Sequence, residues 1–148
     1  MSGTRNLVLW LHIGVALVSL GPLLLFDMLV PATVRAGNTP VVRWLSRRVR
    51  VLGRVTVLVA LLGIVLVVRD DNDPYTFSEG WISASLALYI LVAINAVAVL
   101  DPTVARAADR LEAGQSADAE ANRLRLFGAL NIVGVLLILW LMVAKPGQ

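Results

Sequence analysis

Few side chains in this sequence could do chemistry. His12 is the only histidine among 148 residues and cysteine is absent, which excludes thiolate metal sites, iron–sulfur clusters, disulfides and thiol nucleophiles from the chain. An imidazole inside an apolar stretch can ligate haem or porphyrin, carry a proton or contact a quinone. It can also do no more than make one hydrogen bond between helices. Bis-histidine haem ligation would need His12 from two chains, whereas a single axial ligand needs one. Asp27 is costly in an apolar stretch unless paired or hydrated, and Arg54 is expected at similar depth, so the two are expected to meet as an ion pair. Asn95 and Asn131 are polar groups in apolar surroundings and are expected to hydrogen-bond across helices. The run Asp70-Asp71-Asn72-Asp73 offers hard oxygen ligands, but it lacks the alternating spacing, glycine and terminal glutamate of a calcium-binding loop and reads better as a solvated connection. No phosphate-binding glycine loop, nucleophile elbow, zinc motif or paired catalytic carboxylates accompany these residues, which argues against an ordinary hydrolase or kinase.

The elements that must position these groups are membrane spans. The chain is 58% hydrophobic and 16% charged, with a mean hydropathy of +0.80, whereas soluble domains carry about 25% charged residues. Four stretches are long and apolar enough to cross a hydrocarbon core: 7–30, 51–68, 81–100 and 126–144. The fold expected is an all-α bundle of four transmembrane helices forming a single membrane domain over 1–148, with connections at 31–50 and 101–125. The first stretch is too long for a signal-peptide core and lacks a clear cleavage site, so it is expected to persist as a span. Arg35, Arg43, Arg47, Arg48, Arg50 and Arg54 follow the first span, and Arg106, Arg110, Arg123 and Arg125 follow the third. By the positive-inside rule both connections face the cytoplasm and both termini face outside. Trp10, Trp81 and Trp140 then fall near the outer interface and Trp44 near the inner one, where indoles sit well. The net charge of +3 therefore reads as membrane orientation, not as a nucleic-acid surface. Trp81, Ser83, Ser85, Tyr89 and Trp140 are expected around His12 if the bundle closes.

The chain resembles itself. Pro31 and Pro102 are each followed four residues later by Arg35 and Arg106, and Arg50-Val-Leu-Gly53 before the second span matches Arg125-Leu-Phe-Gly128 before the fourth. The pattern is that of two parallel helical hairpins, although proline near helix ends and arginine at the inner face are also ordinary punctuation. Residues 39–50 place Val42, Leu45 and Val49 on one face and arginines on another, which predicts a helix lying on anionic headgroups. Residues 101–125 predict a helix or helical pair broken near Gly114. Small and polar residues mark the faces where spans approach closely: His12, Ala16 and Ser19; Gly53, Thr56, Ala60 and Gly63; Ala84, Ala87, Leu91, Asn95 and Ala98; Gly128, Asn131 and Gly134. Pro22 is expected to bend the first span or widen a turn.

Leu11-His12-Ile13-Gly14, the Pro-x-x-x-Arg pattern, the Arg-x-x-Gly start of the second span and Trp81-Ile82 opening the third resemble a group of small bacterial four-span membrane proteins of unknown function, over nearly the whole chain. More distantly they are similar to the bacterial membrane protoporphyrinogen oxidase and to the copper-resistance D-type membrane domain. The oxidase resemblance implies that His12 matches a haem- or porphyrin-linked first-span histidine. The lysine that follows the oxidase's third-span tryptophan is replaced here by Ser85, which leaves that catalytic apparatus incomplete. One histidine and three methionines, with only Met28 and Met142 in spans, make a thin copper site. Three readings follow for a protein of the bacterial cytoplasmic membrane: a structural or accessory subunit, acting as a homo-oligomer or within a larger complex; a haem- or porphyrin-binding redox protein using His12; and a small transporter. The few intramembrane charges and the absence of paired broken helices argue against transport.

Overall fold

The computed structural model describes residues 3–68 and 77–146 and is helical throughout most of that range. The elements are α1 (Gly3–Arg35), α2 (Thr39–Val68), α3 (Gly80–Ile94), a π-helical turn (Asn95–Leu100), α4 (Asp101–Glu112) and α5 (Asp118–Ala144). Since α3, the π turn and α4 run on as one rod, four long helices cross back and forth, each long and apolar enough to span a bilayer. The fold is therefore the four-helix membrane bundle that hydropathy predicts. The acidic run at 70–73 lies outside the described residues.

The helices extend beyond their apolar windows, and this corrects the expected connections. Residues 39–50 do not form a separate surface helix; they are the first three turns of α2. Their apolar face does not meet lipid, because Val42, Leu45 and Val49 are buried, Val42 completely. Val42 and Leu45 pack with Val30 and Val34 of α1, Leu100, Val104, Ala107 and Ala108 of the third rod, and Ala121 and Leu124 of α5 into one core. An amphipathic helix buries its apolar stripe wherever partners exist, and here three neighbouring helices supply them. The alanines of α4 keep those partners close. Toward the other end the pattern inverts: Trp10, Leu17, Val57, Ile90, Leu136 and Val143 face outward, as lipid-facing residues do in a bundle without a hydrophobic drive between its spans.

The two tight connections are built alike. After α1, Gly37 N–H bonds Val34 O and Asn38 N–H bonds Thr33 O; after α4, Gly114 N–H bonds Leu111 O and Gln115 N–H bonds Arg110 O. Each is a Schellman closure, and each glycine sits in the left-handed region, at φ 66° and 69°, where a side chain would be strained. The break expected near Gly114 falls there. Asn38 then starts α2 by accepting from Val41 N–H through its side chain, and Pro40 follows in the first turn, where a missing N–H costs nothing.

Proline also shapes the third rod. Pro102 has no N–H to give back to the preceding turn and its ring crowds that turn's carbonyls. The chain widens there into the π turn, closed by Asp101 N–H on Ala96 O, while the Thr103 hydroxyl takes up Val99 O at 2.6 Å. Pro22 and Pro31 are both contained within a continuous α1.

Candidate functional site

The hydrogen bonds that polar side chains make between the spans sort into two layers. In the first, α2 is held from both flanks within one turn. His12 of α1 donates through Nδ1 to Val59 O at 2.9 Å, and the Tyr89 hydroxyl of α3 donates to Thr56 O. A carbonyl can only accept, so Nδ1 carries a proton, and the neutral tautomer consistent with this bond has its lone pair on Nε2. The contact depends on Gly63, where a Cβ would come within 3.1 Å of His12 Cε1. Of the residues expected around His12, Trp81 instead donates to Glu79 at 2.5 Å and stacks under Lys145. Ser83 bonds Phe77 O, Ser85 is buried, and Trp140 faces outward.

The second layer ties α1, α5 and the third rod together nearer the arginine-rich end. Asn131 donates to Asp27 Oδ2 at 2.9 Å, and Asn95 donates to Phe127 O at 2.9 Å and to Asn131 Oδ1 at 3.3 Å. Asn95 is also the first residue of the π turn. Asp27 lies four residues before Pro31, which has no N–H to offer its carbonyl. Gly128 approaches that carbonyl so closely that a Cβ would sit 3.0 Å from it.

The expected ion pair between Asp27 and Arg54 does not form: among the described residues Arg54 has no ion-pair partner. Asn131 turns the Asp27 carboxyl toward α5, while Arg54 remains exposed on α2. Both nevertheless line one cavity of about 520 Å³ between α1, α2, the π turn, α4 and α5. Asp101 in its wall pairs with Arg50 at 3.2 Å, and Asp109 pairs with Arg43 at 2.7 Å.

The packing faces follow the expected stripes on α1 and α5 and in part on α2, where Gly53 has nothing within 4 Å of its Cβ position. Ser19 is buried on α1, and its side of the helix continues into Leu23, Val30 and Val34. Gly63 meets His12 on α2, and Gly128, Asn131 and Gly134 are all buried on α5. The stripe on α3 is corrected. Ala84, Ala87, Leu91 and Ala98 face outward, and the inward face carries Ile82, Ser85, Val92 and Asn95. The small residue allowing close approach here is on the partner helix: a Cβ on Gly134 would lie 2.6 Å from Val92 Cγ2. An alanine facing lipid costs little, so its presence does not fix a face.

Among the described residues no three His, Cys, Asp or Glu side chains converge to hold a metal ion. Met28 and Met142 both face outward. At the arginine-rich end Arg43 bridges Glu112 through two bonds of 2.8 and 2.6 Å; this guanidinium holds the Glu112 carboxyl below its ordinary value and is itself raised by that bonding. Arg35 donates to Asn122 at 2.6 Å, and Trp44 stacks edge-on with Phe26 beneath Arg48.

No curated protein and no solved structure matches the chain. The model of one family, described as predicted integral membrane protein (DUF2269), matches residues 6–146. That match covers all four long helices, both tight connections and every polar residue of the two layers, and the chain belongs to this family of integral membrane proteins.

Proposed function

We propose that the protein is a structural or accessory subunit of the bacterial cytoplasmic membrane, with both termini outside, working as a homo-oligomer or within a larger membrane complex. The observation that carries this reading is the use to which the intramembrane polar groups are put. His12, Tyr89, Asn95 and Asn131 all donate to groups on a neighbouring helix, which is what polar side chains do as glue between spans. The arginine-rich end supports the orientation through the positive-inside rule, and outward-facing Leu and Val along every span leave surface for lipid or a partner. The test is extraction in a mild detergent followed by mass determination and identification of co-purifying chains. A stoichiometric partner or a defined oligomer is expected; a lone monomer with no retained partner contradicts the reading.

One observation favours haem or porphyrin binding as a second reading. His12 donates Nδ1–H to a backbone carbonyl and keeps the Nε2 lone pair, the arrangement that orients metal-ligating histidines. The distant resemblance to the protoporphyrinogen oxidase points the same way, with His12 as ligand. A haem held there would supply one-electron chemistry, and His12 would be the residue of this chain that holds it. Its signature is a Soret band dependent on His12.

A further inference from the structure

We propose that the cavity between α1, α2, the π turn, α4 and α5 is a lipid site that takes the phosphate of an anionic headgroup from the inner leaflet. Three arginines line it, and they are not equivalent. Arg50 is neutralised by Asp101. Arg54, one turn further along α2 into the apolar span, and Arg106 of α4 have no carboxylate partner among the described residues; Arg106 donates to the Thr103 hydroxyl at 3.1 Å. Two guanidiniums from different helices thus border one concavity without an ion-pair partner of their own, while the one carboxyl in the lining without a cation among the described residues, Asp27, is turned to the Asn131 amide of α5. A guanidinium at the edge of the hydrocarbon needs an anion, and its planar fork suits phosphate oxygens.

The rest of the lining fits an amphiphile better than a free ion. Leu23, Val97 and Leu100 supply apolar wall beside the charged rim, and about 520 Å³ falls within the range of small-molecule pockets. The cavity lies where the apolar stretches give way to the arginine-rich end, the level at which basic pockets between spans hold anionic headgroups. The π turn makes this wall: its widened turn sets Val97 and Leu100 of the third rod facing the same space as Arg106.

The test uses the purified full chain in a neutral detergent. Its thermal midpoint is measured with added phosphatidylglycerol, phosphatidylcholine or inorganic phosphate, since a ligand that binds only the folded state raises that midpoint. Phosphatidylglycerol is expected to raise it by several degrees and the other two to leave it unmoved. The shift is expected to vanish in Arg54→Gln/Arg106→Gln and to persist in Arg47→Gln/Arg48→Gln, which removes equal charge from outside the cavity. An equal shift with phosphatidylcholine or with inorganic phosphate overturns the proposal, as does equal loss in both double variants. Native mass spectrometry of the unaltered chain guards against a variant that fails to fold: retained phosphatidylglycerol is expected, and its absence overturns the proposal.

Discussion

The amide of Asn131 and the carboxyl of Asp27, 104 residues apart, face each other at 2.9 Å across α5 and α1. This bond joins the first and last spans, and it replaces the arginine partner that charge alone would assign to Asp27. Asn131→Ala should therefore lower stability by about 1 kcal/mol, the scale of interhelical hydrogen bonds in membranes, and Asp27→Asn should cost less because an amide can still accept from Asn131. Unfolding in mixed detergent followed by circular dichroism measures both.

A charge swap tests the same arrangement from the other side. Asp27→Arg combined with Arg54→Asp should fail to recover the stability lost in Asp27→Arg alone, because Arg54 is not the partner of Asp27. Recovery to the unaltered level in the same unfolding assay would reinstate the ion pair.

The α3–α5 contact should show size compensation. Gly134→Ala places a Cβ 2.6 Å from Val92 Cγ2, an overlap that should cost about 1–3 kcal/mol. Val92→Ala in the same chain should restore most of it, read as a coupling free energy in a double-mutant cycle.

The glycines of the two connections should differ from Gly53, whose Cβ position would have no neighbour within 4 Å. Gly37→Ala and Gly114→Ala, at positive φ, should each destabilise by about 1 kcal/mol. Gly53→Ala should be neutral or stabilising, because alanine is the better helix former. Thermal midpoints of the three variants decide it.

The Arg43–Glu112 bridge predicts an acid limb. Bonding to Arg43 depresses the Glu112 carboxyl in the folded state, so its contribution is present above the ordinary value of 4.5 and is lost as pH falls through the lower folded value. Glu112→Gln should flatten the stability–pH curve below about pH 4.5 while leaving its neutral and alkaline limbs parallel to those of the unaltered chain.

How much of this was legible in the sequence depended on which physical signal carried it. Hydropathy sufficed for four spans, since about 18 or more apolar residues in a row have few other uses. Proline and glycine positions were legible where they act locally, as at Gly114. The inner face of α3 was not: Ala84 and Ala87 look like packing residues, but the glycine that permits the approach is Gly134 on the opposite helix. The fate of residues 39–50 was equally hidden, because an apolar stripe looks the same whether it meets headgroups or the faces of Val34 and Val104. The pairing of Asp27 escaped charge counting for a related reason. An amide three residues from Gly128 was the available partner, and only the α1–α5 contact brings it there.

The central claim is that the intramembrane polar side chains, His12 above all, serve only to hold helices together and ligate no cofactor. The visible absorption spectrum of the protein purified from haem-replete cells, compared with that of His12→Ala, tests it most directly. The account predicts colourless protein in both cases, with His12→Ala only less stable. A Soret band in the unaltered protein that disappears in His12→Ala would contradict it.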